Sequence, residues 1–275
     1  MPDRDLFVFD TRTDAPVATI DTLGTLLHGL AVDSKGRVYI AQTDARNDVN
    51  GRAGTKKHGL KEMENRAFLN RISSVGFEDD RATAPRFLDL EPLPPNHPAA
   101  GMALATPFAV QVSDDDSTLV ATAAASDKVF TVDTATGAVL GRVGVGAGPR
   151  GIALESRSGK AAEAWVLNAL ANTVSVVDVA DAKNPKVVAT IALEDPTHPV
   201  FKRGRIAFNT AAASTTGTFS CASCHPDGHT DQLLWVLVTP VVTGGNQIMP
   251  RSTMPVRGLP DTAPFHWDGI PGDPY

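Results

Sequence analysis

The stretch "KVFTVDTATGAVLGRVGVGAGPRGIALESRSGKAAEAWVLNA", residues 128–169, decides the fold. A β run rich in Val and Thr reaches Asp133, "TATG" turns it, and a second run follows. A Gly/Pro break then leads into a third run and a fourth. Alternating Val, Ile and Thr suit pleated strands, and Gly-containing tetrads supply their turns. The pattern recurs. "NTVSVVDVADAKNPKVVATIALEDP" at 172–196 begins the next copy, with Asp178 standing 45 residues after Asp133. Phe108 and Ile152 occupy similar places 44 residues apart. An earlier copy runs from 6 to 43 through the turn "DSKG", and a looser one from Phe68 to Ala124. Four short strands every 40–45 residues are the mark of β-propeller blades. A β-sandwich would share the strand frequency but not the repeated motif order. The expected fold is therefore an all-β propeller over 1–196, of about four to five blades and so an incomplete ring with exposed strand edges.

Composition sets the outer limits. Of 275 residues, 42% are hydrophobic and 20% charged, as in ordinary globular chains. No apolar run approaches the length of a membrane span, so no transmembrane segment is expected. A net charge of −6 argues against a nucleic-acid partner, which requires a basic surface. The opening "MPDRDLFVFDTRTD" lacks the charged start, apolar core and cleavage site of a secretory signal.

Two segments break the strand pattern. Residues 47–65, "NDVNGRAGTKKHGLKEMEN", read as a loop inserted between strands, with a short helix near Leu60–Arg66. Such an insertion either contacts a partner or neighbouring domain, or is an exposed variable loop. After Pro199, "FKRGRIAFNTAAAS" reads as a helix, and from 239 the chain turns to Pro, Gly, Thr and Met.

Both cysteines fall in "FSCASCHPDGHTDQLLW", residues 219–235, as Cys221-Ala222-Ser223-Cys224-His225. Covalent attachment of a c-type haem uses two thiols, which add across the vinyl groups, and an adjacent imidazole, which binds the iron. The competing chemistries are less well served. A thioredoxin-like redox pair belongs at a helix start after a βαβ strand, and a zinc site needs two ligands beyond the pair, for which His225 and His229 make a poor set. A disulfide across two residues would be strained. Cys221 and Cys224 are thus expected to tether haem c, with His225 as the proximal iron ligand.

Around this motif the chain resembles a known family. "GRIAFNTAAASTTGTFSCASCH" is similar to the first haem segment of the di-haem cytochrome c peroxidase and MauG-like family, GxxxFxxxxxSxxxxxxCxxCH, through Gly204, Phe208, Ser214, Cys221, Cys224 and His225. "RSTMPVRGLPDTAPFHWDG" is similar to that family's segment ending in Phe-Trp-Asp-Gly. The upstream repeats at 129–157 and 173–194 resemble the YVTN-type propeller repeat. The resemblance implies a mainly α, c-type cytochrome-like domain over 197–275, fused to the propeller. It also implies a second haem in a missing C-terminal part, and Trp267 as an electron relay between haems. His266 replaces the family's usual Phe. Met249, Met254 and His266 are the candidates for the sixth iron ligand or a haem contact. Gln232 stands where the family's "TDG" has glycine.

Two functions follow as expectations. One is a peroxidase- or MauG-like oxidoreductase, whose propeller is a docking or substrate platform. The other is a non-enzymatic electron-transfer cytochrome with a propeller interaction module. Either would have a redox partner protein or a second haem domain, and either would be periplasmic or exported, because covalent haem is installed there. The absent signal, short ring and single haem motif together predict an internal piece of a longer exported protein.

Overall fold

The computed structural model describes residues 4–50, 59–78, 81–236, 250–259 and 262–264. A hairpin of β1 (Leu6–Phe9) and β2 (Pro16–Ile20) comes first. Three four-stranded antiparallel sheets follow. The first holds β3 (Leu26–Val32), β4 (Val38–Ala45), β5 (Phe68–Val75) and β8 (Arg86–Asp89), with a small hairpin of β6 (Phe77–Glu78) and β7 (Arg81–Ala82) before its last strand. The second holds β9 (Pro107–Val112), β10 (Thr118–Ala123), β11 (Lys128–Asp133) and β12 (Val139–Gly144). The third holds β13 (Pro149–Arg157), β14 (Lys160–Asn168), β15 (Thr173–Asp178) and β16 (Lys186–Ala192). In each sheet the strands lie side by side in chain order, and the first strands β3, β9 and β13 are successive neighbours. This is a propeller-like arrangement of meandering blades.

The turns form where their chemistry predicts. Asp33 accepts the N–H groups of Lys35 and Arg37, and Gly36 takes φ +80°. Asp133 accepts from Thr136, and Gly137 takes φ +78°. A glycine meets no Cβ penalty in that left-handed region. Asp178 caps its own strand in the same way, accepting from Ala180.

Successive sheets bury facing side chains. On β10, Leu119, Ala121 and Ala123 enter the core shared with the first sheet, including Ile72 and Tyr39. Val120, of opposite parity on the same strand, enters the core shared with the third sheet, against Ala164, Val166 and Val177. Period-two alternation with both faces buried explains the nearly continuous apolar sequence of β10. At the chain's start, Ile20 and Leu23 pack on Val38, Ile40 and Val75.

The expected mainly α domain after residue 197 is not found. Among the described residues there, α1 (Pro199–Asn209) and the single turn α2 (Cys221–Cys224) are the α-helices, with short 3-10 turns and a ladder of β17 (Leu234–Trp235) and β18 (Arg251–Ser252). The reason is visible in the sequence. Beyond Asn209 the chain runs through Thr, Ser, Gly and Pro without a helical period, and those residues favour caps and turns. Among the described residues, Phe219, Leu233 and Trp235 pack on the first sheet, joining Met63, Ala67 and Phe68 in one cluster. Among the described residues there are three four-stranded sheets and, at the chain's start, the β1–β2 hairpin, against the four to five blades read from the repeats.

Candidate functional site

The cysteine turn is built on this apolar cluster. Cys221 and Cys224 sit three apart on one helical turn, and the His225 N–H donates to the Cys221 carbonyl at 3.1 Å. Residues three apart in a helix share a face, so both thiols belong to one side of the turn. The Ser220 N–H donates to Ser223 Oγ at 3.0 Å, tying off the helix start. Cys221 is exposed, whereas Cys224 packs into the cluster with Trp235 and Phe68. Burial, reinforced by the nearby Asp231 carboxylate, pushes the Cys224 thiol well above its ordinary pKa and keeps it protonated. Asp231 organises the exit from the turn. Its N–H donates to the Cys224 carbonyl at 3.0 Å, and its carboxylate accepts from the Leu233 N–H and from Trp235 Nε1 at 2.9 Å.

His225 ends the turn with its Nδ1 buried and, among the described residues, without a hydrogen-bond partner. Its ring lies 6.3 Å from that of Phe208 on α1. A buried imidazole nitrogen without a partner costs free energy unless something outside the described residues engages the ring. Two thiols on one turn beside such an imidazole are the described groups whose chemistry suits a tethered iron cofactor. No cluster of three or more His, Cys, Asp or Glu side chains that could hold a bare metal ion occurs among the described residues.

Hydrogen bonds from the sheets hold this segment in place. Asn70 on β5 donates to the Thr218 carbonyl and to Glu91, both at 3.1 Å, and accepts from the Thr106 N–H. Thr216 Oγ1 donates to the Asn65 carbonyl at 2.8 Å. Glu91 forms a fully buried ion pair with Arg66 at 2.9 Å and also accepts from the Leu104 N–H. The inserted loop does contact this segment. Gly59 N–H donates to the Val236 carbonyl, and Val236 N–H donates to Asn50 Oδ1. Met63, at the end of the 3-10 turn Gly59–Met63, is buried in the same cluster as Trp235.

On the other side of the turn stands Arg150, at the start of β13. It donates to Asp227 at 2.7 Å and to Asn209 at 3.1 Å, and its guanidinium lies 5.1 Å from the centre of the Phe108 ring. His28 stacks on Phe108 at 4.7 Å between ring centres. Burial first, and the Arg150 charge second, lower the His28 pKa to about 4, so the ring is neutral near pH 7.

Of the residues singled out in the sequence, Cys221, Cys224 and His225 come together in one turn. Met254 is half-buried, two residues before Val256, whose N–H donates to the Gly228 carbonyl. His229 is exposed. Gln232 takes φ +59°, the left-handed conformation that its expected glycine would favour. Met249, His266 and Trp267 lie outside the described residues. Sequence reasoning missed Arg150, His28, Asp227 and Asn209, which meet only through the packing of distant strands and turns. Trp235 stood within the quoted cysteine stretch, and its apolar neighbours Leu233 and Leu234 were the available signal.

These observations define a β protein of propeller-like sheets that carries a docked Cys-x-x-Cys-His turn. No protein-family model and no curated protein matches the chain. Among solved structures, it is similar over 62% of its length to hydrazine synthase of Kuenenia stuttgartiensis, at 14% identity and a TM-score of 0.47, covering 50% of that chain. It is similar over 68% of its length to a structure of a nidogen/laminin complex, at 16% identity and a TM-score of 0.42, covering 55% of that chain. The chain thus spans about half the length of these two structures. Likeness at this level carries no argument about function, and the propeller-like description rests on the order of the sheets themselves. No helix among the described residues is long and apolar enough to cross a membrane.

Proposed function

We propose that this chain is a c-type haem-binding redox protein in which Cys221 and Cys224 hold haem through thioethers and His225 is the proximal ligand. The observation that carries this reading is the cysteine turn itself: two thiols on one helical face, followed directly by an imidazole whose Nδ1 is buried without a partner. A haem so held exchanges single electrons, and a displaceable sixth position would let it react with peroxide. The surrounding residues do the positioning. Trp235, Phe68 and Phe219 give the Cys224 sulfur an apolar setting suited to a thioether, and Asp231 and Ser223 fix the turn. The sheets act as the platform on which the turn is mounted and where a redox partner would dock. In this reading the protein matures in the periplasm or outside the cell.

Whether the site works as a peroxidase-like oxidoreductase or as an electron carrier depends on the sixth position. A thioether such as that of Met254 in the sixth position would close the iron to substrate and make the site a carrier, whereas an open position would make it an enzyme. Expression of the full chain with haem-maturation machinery, followed by haem staining and visible spectra, tests the proposal. Covalent haem lost in Cys221→Ser is the expected result, and a stain that persists in that variant overturns the tether. A low-spin spectrum inert to peroxide supports the carrier, and a high-spin, peroxide-reactive one the enzyme.

A further inference from the structure

A cavity of about 210 Å³ separates the cysteine turn from the inner ends of the sheets. Leu26, His28 and Phe108 line it from the first and second sheets, and Ala222, Pro226 and Asp227 from the turn. What spans the gap is Arg150. Its two terminal nitrogens reach Asp227, two residues after His225, and Asn209, the last residue of α1, while Phe108 supports its guanidinium plane. Asp227 itself takes φ +51°, the left-handed conformation that Asp adopts more readily than most residues with a side chain. Its other tie, the Arg257 Nε bond to its carbonyl, comes from a neighbouring loop and not from a sheet.

We propose that Arg150 is a positioning residue for the Cys221–His225 turn, holding it from the third sheet through its joint contacts with Asp227 and Asn209. Without the guanidinium, the turn settles toward the cavity and Cys224 leaves its contact with Trp235 and Phe68. The sheets thereby set the orientation of His225 as well as its location. The functional weight of this inference rests on the haem reading, but its test does not.

The test follows thiol reactivity in the folded, haem-free chain, using an aromatic disulfide reagent. The native protein should show one fast thiol, Cys221, and one slow thiol, Cys224. Arg150→Ala should speed the slow phase about tenfold or more through local opening. Asp227→Asn should do so as well, and Arg150→Lys should restore part of the protection. Urea denaturation of each variant separates local from global opening. A slow phase within about twofold of native in both Arg150→Ala and Asp227→Asn overturns the inference. So does acceleration that only tracks lost global stability. If the variants behave as stated but the native chain never acquires haem, the positioning role stands and the haem reading falls.

Discussion

Burial fixes the charge of His28, and through it a pH dependence of the fold. Unfolded, its imidazole takes a proton near pH 6.5, whereas folded it does so only near 4, chiefly because burial disfavours the cation. Above pH 6.5 both states are neutral and the contribution to stability is fully present. As the pH falls from 6.5 toward 4 the unfolded chain binds more protons, so the native state loses up to about 3 kcal/mol from this one group. His28→Gln should therefore lose about 2–3 kcal/mol less than the native chain between pH 7.5 and 4.5, as read by urea denaturation. Equal losses in the two proteins would show that His28 does not carry the dependence. None of this was legible in the sequence. His28 sits in an ordinary β run, and its neighbours Phe108, Arg150 and Asp227 are 80 or more residues away. The cysteine motif, by contrast, was legible because its chemistry lies within five consecutive residues.

Among elements, the repeat was legible in period but not in phase. The copy read at 128–169 combines the last two strands of the second sheet with the first two of the third. A linear pattern records hairpins and turns alike, so the Gly/Pro break that marks the boundary between sheets reads as one more turn inside a repeat. The cysteine segment differed in another way. Its motif spacings match a helical family, yet among the described residues Phe219, Leu233 and Trp235 dock on β5 and the inserted loop. That docking depends on buried polar groups. Arg66 and Glu91 are each about 1% exposed and link β5 through Asn70 to the Thr218 carbonyl. Burial raises the pKa of Glu91 in spite of its hydrogen bonds, so its charge depends on its partners. Arg66→Ala, which leaves that carboxylate buried and unpaired, should cost about 3–5 kcal/mol in urea denaturation. A loss under about 1 kcal/mol would mean that the pair adds little to the fold.

At the scale of the whole molecule, the sheets and the cysteine turn form one packed body through the described residues. The first sheet, the inserted loop and the cysteine segment share a core, and Arg150 reaches the turn from the third sheet. Sheets joined this closely to the cysteine turn differ from a propeller merely linked to a separate mainly α domain. The proposal that Cys221 and Cys224 carry haem can be checked by intact mass spectrometry of the full chain made with haem-maturation machinery. The expected result is a mass increase of one haem that survives denaturation and disappears when both cysteines are changed to serine. An unmodified mass in the native sequence, from cells that load a control cytochrome, would contradict it.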